Sequence, residues 1–147
     1  MSIKYRKIGS FFFVLLLMTF LTACNDVKST ITTEEDLSLF TQKAAEVYNI
    51  LVLAQNEGRD TKLEEDVIIE SFFEDYDFDS NFYKNIDGSD YHDYRGLYLS
   101  LLSMQIDQGQ TAAKYDVNAP DNFWKEQENA RSYFLKFDAL IELTKPE

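Results

Sequence analysis

The chain has 147 residues, of which 45% are apolar, 27% charged and 15% aromatic, a balance that suits one globular domain and excludes a disordered chain. One cysteine excludes an internal disulfide framework. Fourteen basic against 26 acidic side chains leave a formal charge of −12, which repels phosphate and argues against a nucleic-acid partner.

Residues 1–23 hold no acid. Lys4, Arg6 and Lys7 form a basic leader, and Phe11–Leu21 is apolar apart from Thr19. A bilayer-spanning helix needs about 20 apolar residues, so this shorter run predicts a secretory signal instead. It ends in Leu21-Thr22-Ala23-Cys24, which resembles the lipobox of bacterial lipoproteins. The resemblance implies diacylglycerol on the Cys24 sulfur and cleavage before it, so that Cys24 becomes the first residue. The domain would then be lipid-anchored to the cell membrane or outer membrane, facing away from the cytosol. Removing residues 1–23 takes away three basic groups and no acid, leaving −15 on 124 residues. Such a body is held off an anionic bilayer by its own charge.

Residues 24–33 read as the lipidated cysteine and a polar linker, and residues 34–147 as the domain. The first predicted helix runs from Glu34 to Glu57, opened by a capping box of Thr32 with Glu35 and closed at Gly58. Leu37, Phe40, Ala44, Val47, Tyr48, Leu51 and Ala54 recur at helical steps. A second helix, Lys62–Asp75, pairs Thr61 with Glu64 and turns Leu63, Val67, Phe72 and Tyr76 to one face. The β-branched Val67-Ile68-Ile69 leaves a short strand as the alternative. Residues 75–90, dense in Asp, Asn, Ser and Gly, read as irregular. A third helix covers Asp90–Asp107 and stops at Gly109, with one further helical turn expected over residues 111–115. The last opens at Asn118-Ala119-Pro120-Asp121 and continues to Pro146. About four amphipathic helices with short loops predict an all-α antiparallel bundle.

Three features bear on chemistry. Asp75-x-Asp77-x-Asp79 resembles the opening of an EF-hand loop. It has Ser80 where glycine makes the sharp turn and Ile86 where a bidentate Glu closes the shell, so no metal is expected. His92, the only histidine, stands between Asp90 and Asp93 near Ser89. It would be the base of a small hydrolase or a ligand of a metal-dependent enzyme, or else an exposed helix residue. Phosphate-loop, nucleophile-elbow and HExxH patterns are missing, so neither catalysis nor a cofactor is expected.

The third feature is a run of rings among carboxylates. Tyr76, Phe78, Phe82, Tyr83, Tyr91 and Tyr94 would form an acidic aromatic surface for a cationic protein or peptide, unless the loop folds down and caps the core. A structural subunit of an envelope complex is the third class of reading.

Overall fold

The computed structural model describes residues 32–137 and 141–146. Cys24, its lipobox and the linker up to residue 31 lie outside the described residues. Among the described residues there are five helices and no strand: α1 (Glu34–Asn56), α2 (Leu63–Asp75), α3 (Asn81–Lys84), α4 (Gly88–Ala112) and α5 (Ala119–Lys136). The all-α expectation holds.

α1 is the hub, touching α2, α4 and α5, and α4 and α5 share the most extensive contact. Phe40, Ala44, Val47, Tyr48, Leu51, Val52 and Ala54 are wholly buried along it. Its capping box lies one residue later than predicted. The Thr33 Oγ1 accepts the Asp36 N–H at 3.2 Å, and the Asp36 carboxylate accepts the Thr33 N–H at 2.8 Å. Thr32 is engaged elsewhere, its hydroxyl donating to the Phe82 carbonyl at 2.8 Å. At the other end Gly58, at φ +60°, lets the Arg59 N–H reach the Ala54 carbonyl and the Gly58 N–H the Gln55 carbonyl. Those two hydrogen bonds satisfy carbonyls a helix end otherwise leaves bare.

α2 is helical through Val67-Ile68-Ile69, so the strand alternative falls. Its buried face is Ile69, Phe72 and Tyr76, whereas Leu63 and Val67 are exposed. The predicted Thr61–Glu64 cap is replaced: Glu65 accepts the Lys62 N–H at 2.7 Å. Two bonds from Arg59, at 2.7 and 2.9 Å, fix Glu65 there and tie the end of α1 to the start of α2.

α4 departs most from expectation. It runs from Gly88 to Ala112 and passes through Gly109, which costs only about 1 kcal/mol in a helix interior. The adjacent Gln108 is buried and donates to the Arg59 carbonyl at 2.6 Å, holding this turn in register. The stop is Lys114, at φ 55°, with the Tyr115 N–H returning to the Gln110 carbonyl at 2.9 Å. Within α4, Gly96 makes room for α5: a β-carbon there would lie 2.3 Å from the Tyr133 ring.

α5 ends at Lys136 rather than near Pro146. Residues 141–146 are non-helical, yet Ile141 and Leu143 still pack on the core.

Candidate functional site

The segment joining α2 to α4 carries the predicted ring surface, and its rings, Phe78 apart, pack on the core. Phe40 of α1 lies at the centre. Its ring meets Phe72 at 5.4 Å between centroids, Tyr76 and Phe82 at 4.8 Å, and Tyr94 at 5.3 Å. Tyr98 adds edge and tilted contacts with Phe73 and Phe78. Burying one such side chain contributes about 1.5–3 kcal/mol, enough to hold the four-residue α3 and its flanking turns on the core.

Of the six rings assigned to a partner surface, Tyr76, Tyr83 and Tyr94 are therefore buried, at 7%, 5% and 7% exposure. Phe82 and Tyr91 are half-buried, and Phe78 alone is exposed. The expected aromatic surface is corrected to a ring-packed cap. Burial pushes the phenols of Tyr76, Tyr83, Tyr94 and Tyr98 up, so they stay neutral at ordinary pH.

The acids between the rings face outward. From Phe72 to Tyr94 the sequence has seven acids and one lysine. Asp75 pairs with Lys43 at 2.7 Å and Asp93 with Lys136 at 2.6 Å. Glu74, Asp77, Asp79, Asp87 and Asp90 are exposed and make no ion pair among the described residues. Arg95, one residue beyond, does not neutralise them. Its guanidinium lies over Phe78 at 4.6 Å and Tyr91 at 5.6 Å, and donates to the Tyr91 hydroxyl at 2.6 Å. The segment thus exposes an acidic rim of five carboxylates without an ion pair among the described residues, and one ring, Phe78, with the Arg95 cation over it.

The other sequence candidates do not converge. Asp75 is bound to Lys43, and Asp77 accepts the Asp79 N–H at 3.0 Å, a local turn. Among the described residues no three His, Cys, Asp or Glu side chains are grouped to hold a metal. His92 is exposed, its ring against the edge of Tyr91 at 5.6 Å. Asp93 turns to Lys136, and Asp90 accepts from the Ser89 hydroxyl at 3.3 Å. Neither carboxylate orients the imidazole. A cleft of about 520 Å³ between α1 and Phe137, walled by Tyr94 and Ile141, is lined by one carboxylate, Glu34, and no histidine, lysine or arginine among the described residues.

Sequence reasoning overlooked Arg95, although its place four residues after Tyr91 is the spacing at which helix neighbours touch. It also overlooked Asn49, a polar residue in the middle of α1. Comparison of the chain with protein families, with curated proteins and with solved structures gives no match.

Proposed function

We propose that the chain is a non-catalytic, lipid-anchored envelope protein whose helical domain, an antiparallel bundle, binds a cationic protein or peptide through the rim around Phe78. The anchor is the acylated Cys24 of the lipobox. The observation that carries the binding reading is the set of five exposed carboxylates at Glu74, Asp77, Asp79, Asp87 and Asp90, none in an ion pair among the described residues. Exposed carboxylates along one segment steer a cation and speed its association. The buried rings beneath supply a stiff platform.

The attachment of Thr32 to Phe82 supports this placement. Eight residue steps separate Cys24 from Thr32 and span at most about 29 Å. That tether limits how far the Thr32 end of the domain can stand from an anchor on Cys24, while the domain's charge keeps it from adhering to the bilayer.

The test uses the full chain in detergent micelles to capture partners from envelope extract at 50 mM and 500 mM salt. A rim-bound partner is retained at low salt and released at high salt, since added ions shorten the reach of exposed charge. It is also lost when Asp77, Asp79, Asp87 and Asp90 are changed together to Asn. Salt-independent capture, or capture by that variant, overturns the reading. Labelling with a radioactive fatty acid tests the anchor: the unaltered chain takes up label, and Cys24→Ser does not.

A further inference from the structure

Arg95 stands at the edge of the acidic segment and pairs with none of its carboxylates among the described residues. Its guanidinium lies over Phe78 and Tyr91, and one N–H goes to the Tyr91 hydroxyl at 2.6 Å. A guanidinium carries five N–H donors in a fixed fork. The rest of this fork meets no acceptor among the described residues. Stacking on a ring leaves the N–H edge open to a planar acceptor, and Arg holds a carboxylate there by two parallel bonds.

A second group beside it lacks a partner. Tyr83, at 5% exposure, lies edge-on to Tyr91 at 6.0 Å and Tyr98 at 6.3 Å, and its hydroxyl is buried without a hydrogen bond. Burial pushes this phenol up, and Arg95 is near enough to pull it the other way. Packing does not account for the oxygen. A phenylalanine would make the same ring contacts without the cost of a buried hydroxyl that bonds to nothing. The Phe78 ring lies 4.6 Å from the Arg95 guanidinium and 6.1 Å from the Tyr83 ring, and at 42% exposure on a turn it has room to swing aside.

We infer that Arg95 and the Tyr83 hydroxyl form a carboxylate site, reached when Phe78 swings aside, and that it takes the free C-terminus of a basic peptide. The inference rests on the reading of the rim as a site for a cationic partner, and adds which end of that partner is held. A bare anion is repelled by the neighbouring acids and by the net charge of −12, so the carboxylate must arrive on a ligand whose positive charge exceeds it. The C-terminus of a basic peptide meets both demands. Its cationic side chains answer Asp77, Asp79, Asp87 and Asp90, while its carboxylate accepts from the Arg95 fork and from the neutral Tyr83 hydroxyl.

Tetralysine with a free C-terminal carboxylate and tetralysine amide are titrated against the full chain in detergent micelles at 50 mM salt. Amidation removes a negative charge, so the acidic rim by itself favours the amide. The carboxylate site reverses that order, and the free acid binds about tenfold tighter. Arg95→Gln abolishes the preference. Should that variant unfold, Arg95→Lys keeps the charge, loses the fork and reduces the preference. Tyr83→Phe raises the melting temperature of the free chain by removing the bondless hydroxyl, yet cuts the preference about threefold. An amide that binds as tightly as the acid overturns the inference, as does a preference that the Arg95 and Tyr83 variants leave unchanged. Affinity for the acid undiminished when Asp77, Asp79, Asp87 and Asp90 are changed together to Asn overturns the rim reading alone. No binding of either peptide overturns both.

Discussion

Around Phe40 of α1, five rings lie with centroids within 6.5 Å, whereas Tyr48, eight residues along the same helix, meets one ring and one amide. The Phe40 region is held by contacts that have area but little direction. It can keep a four-residue helix and irregular turns in place because every ring that folds down gains burial. Farther along, α1 and the loop after it add single bonds with one partner each: the buried Gln127 amide donates to the Tyr48 hydroxyl, and the buried Gln108 amide to the Arg59 carbonyl. One region degrades by losing packing. The other degrades by orphaning a polar atom.

Truncating the ring at the centre has the largest expected effect. Phe40→Ala is expected to cost about 3–5 kcal/mol in urea unfolding, with Phe40→Leu costing clearly less because most of the volume remains. Gln127→Ala is expected to cost about 1–3 kcal/mol, as it leaves the buried Tyr48 hydroxyl without its donor. The contrast sharpens in a double variant. Gln127→Leu with Tyr48→Phe removes both polar partners and should recover most of the loss, whereas no second substitution restores Phe40→Ala. Equal losses at Phe40 and Gln127, with no recovery in the double variant, would break the distinction.

The same distinction explains what the sequence made legible. The face of α1 and its end at Gly58 were readable because periodicity and a left-handed glycine are local signals. The end of α4 was not, since Gly109 looks like a stop, whereas its cost in a helix interior is small and the tertiary bond from Gln108 to Arg59 helps hold the helix past it. The end of α5 was obscured because Ile141 continues an apolar pattern in helical step. In the structure Ile141 and Leu143 follow a two-residue step on a non-helical tail. At the candidate site the acids were legible as composition. The burial of the rings was not, because Asp-Tyr-Asp-Phe-Asp alternates either way until a core supplies the inner side.

Between these extremes lies the join of α1 to α2. Arg59 holds the Glu65 carboxyl below its ordinary value of 4.5, chiefly through their side-chain bonds, with help from the Lys62 N–H. A carboxylate depressed in the folded state adds stability above its unfolded value and loses it as pH falls through the folded one. The melting temperature should therefore drop on acidification below about pH 4.5, and drop less in Glu65→Gln. At pH 7 that variant is expected to cost about 1 kcal/mol, the upper range for a pair near the surface.

The smallest effect has the opposite sign and concerns where negative charge is tolerated. The carboxylates of the rim are exposed, so water screens them and their crowding costs little. Asp107 of α4 is only half exposed, and burial raises its carboxyl above the ordinary 3.8, with Glu126 and Asp116 adding like charge. Its charged form therefore works against folding at pH 7, and the penalty fades as pH falls toward 3.8. Asp107→Asn keeps the backbone carbonyl that receives the Thr111 hydroxyl and removes only the charge. We expect it to stabilise the chain by about 0.5 kcal/mol at pH 7 in thermal melts, with no gain below about pH 3.8. A similar gain on neutralising Asp77 or Asp79 would mean that the rim also strains the fold. No gain there would mean that its charge is carried without cost to stability and is available for a partner.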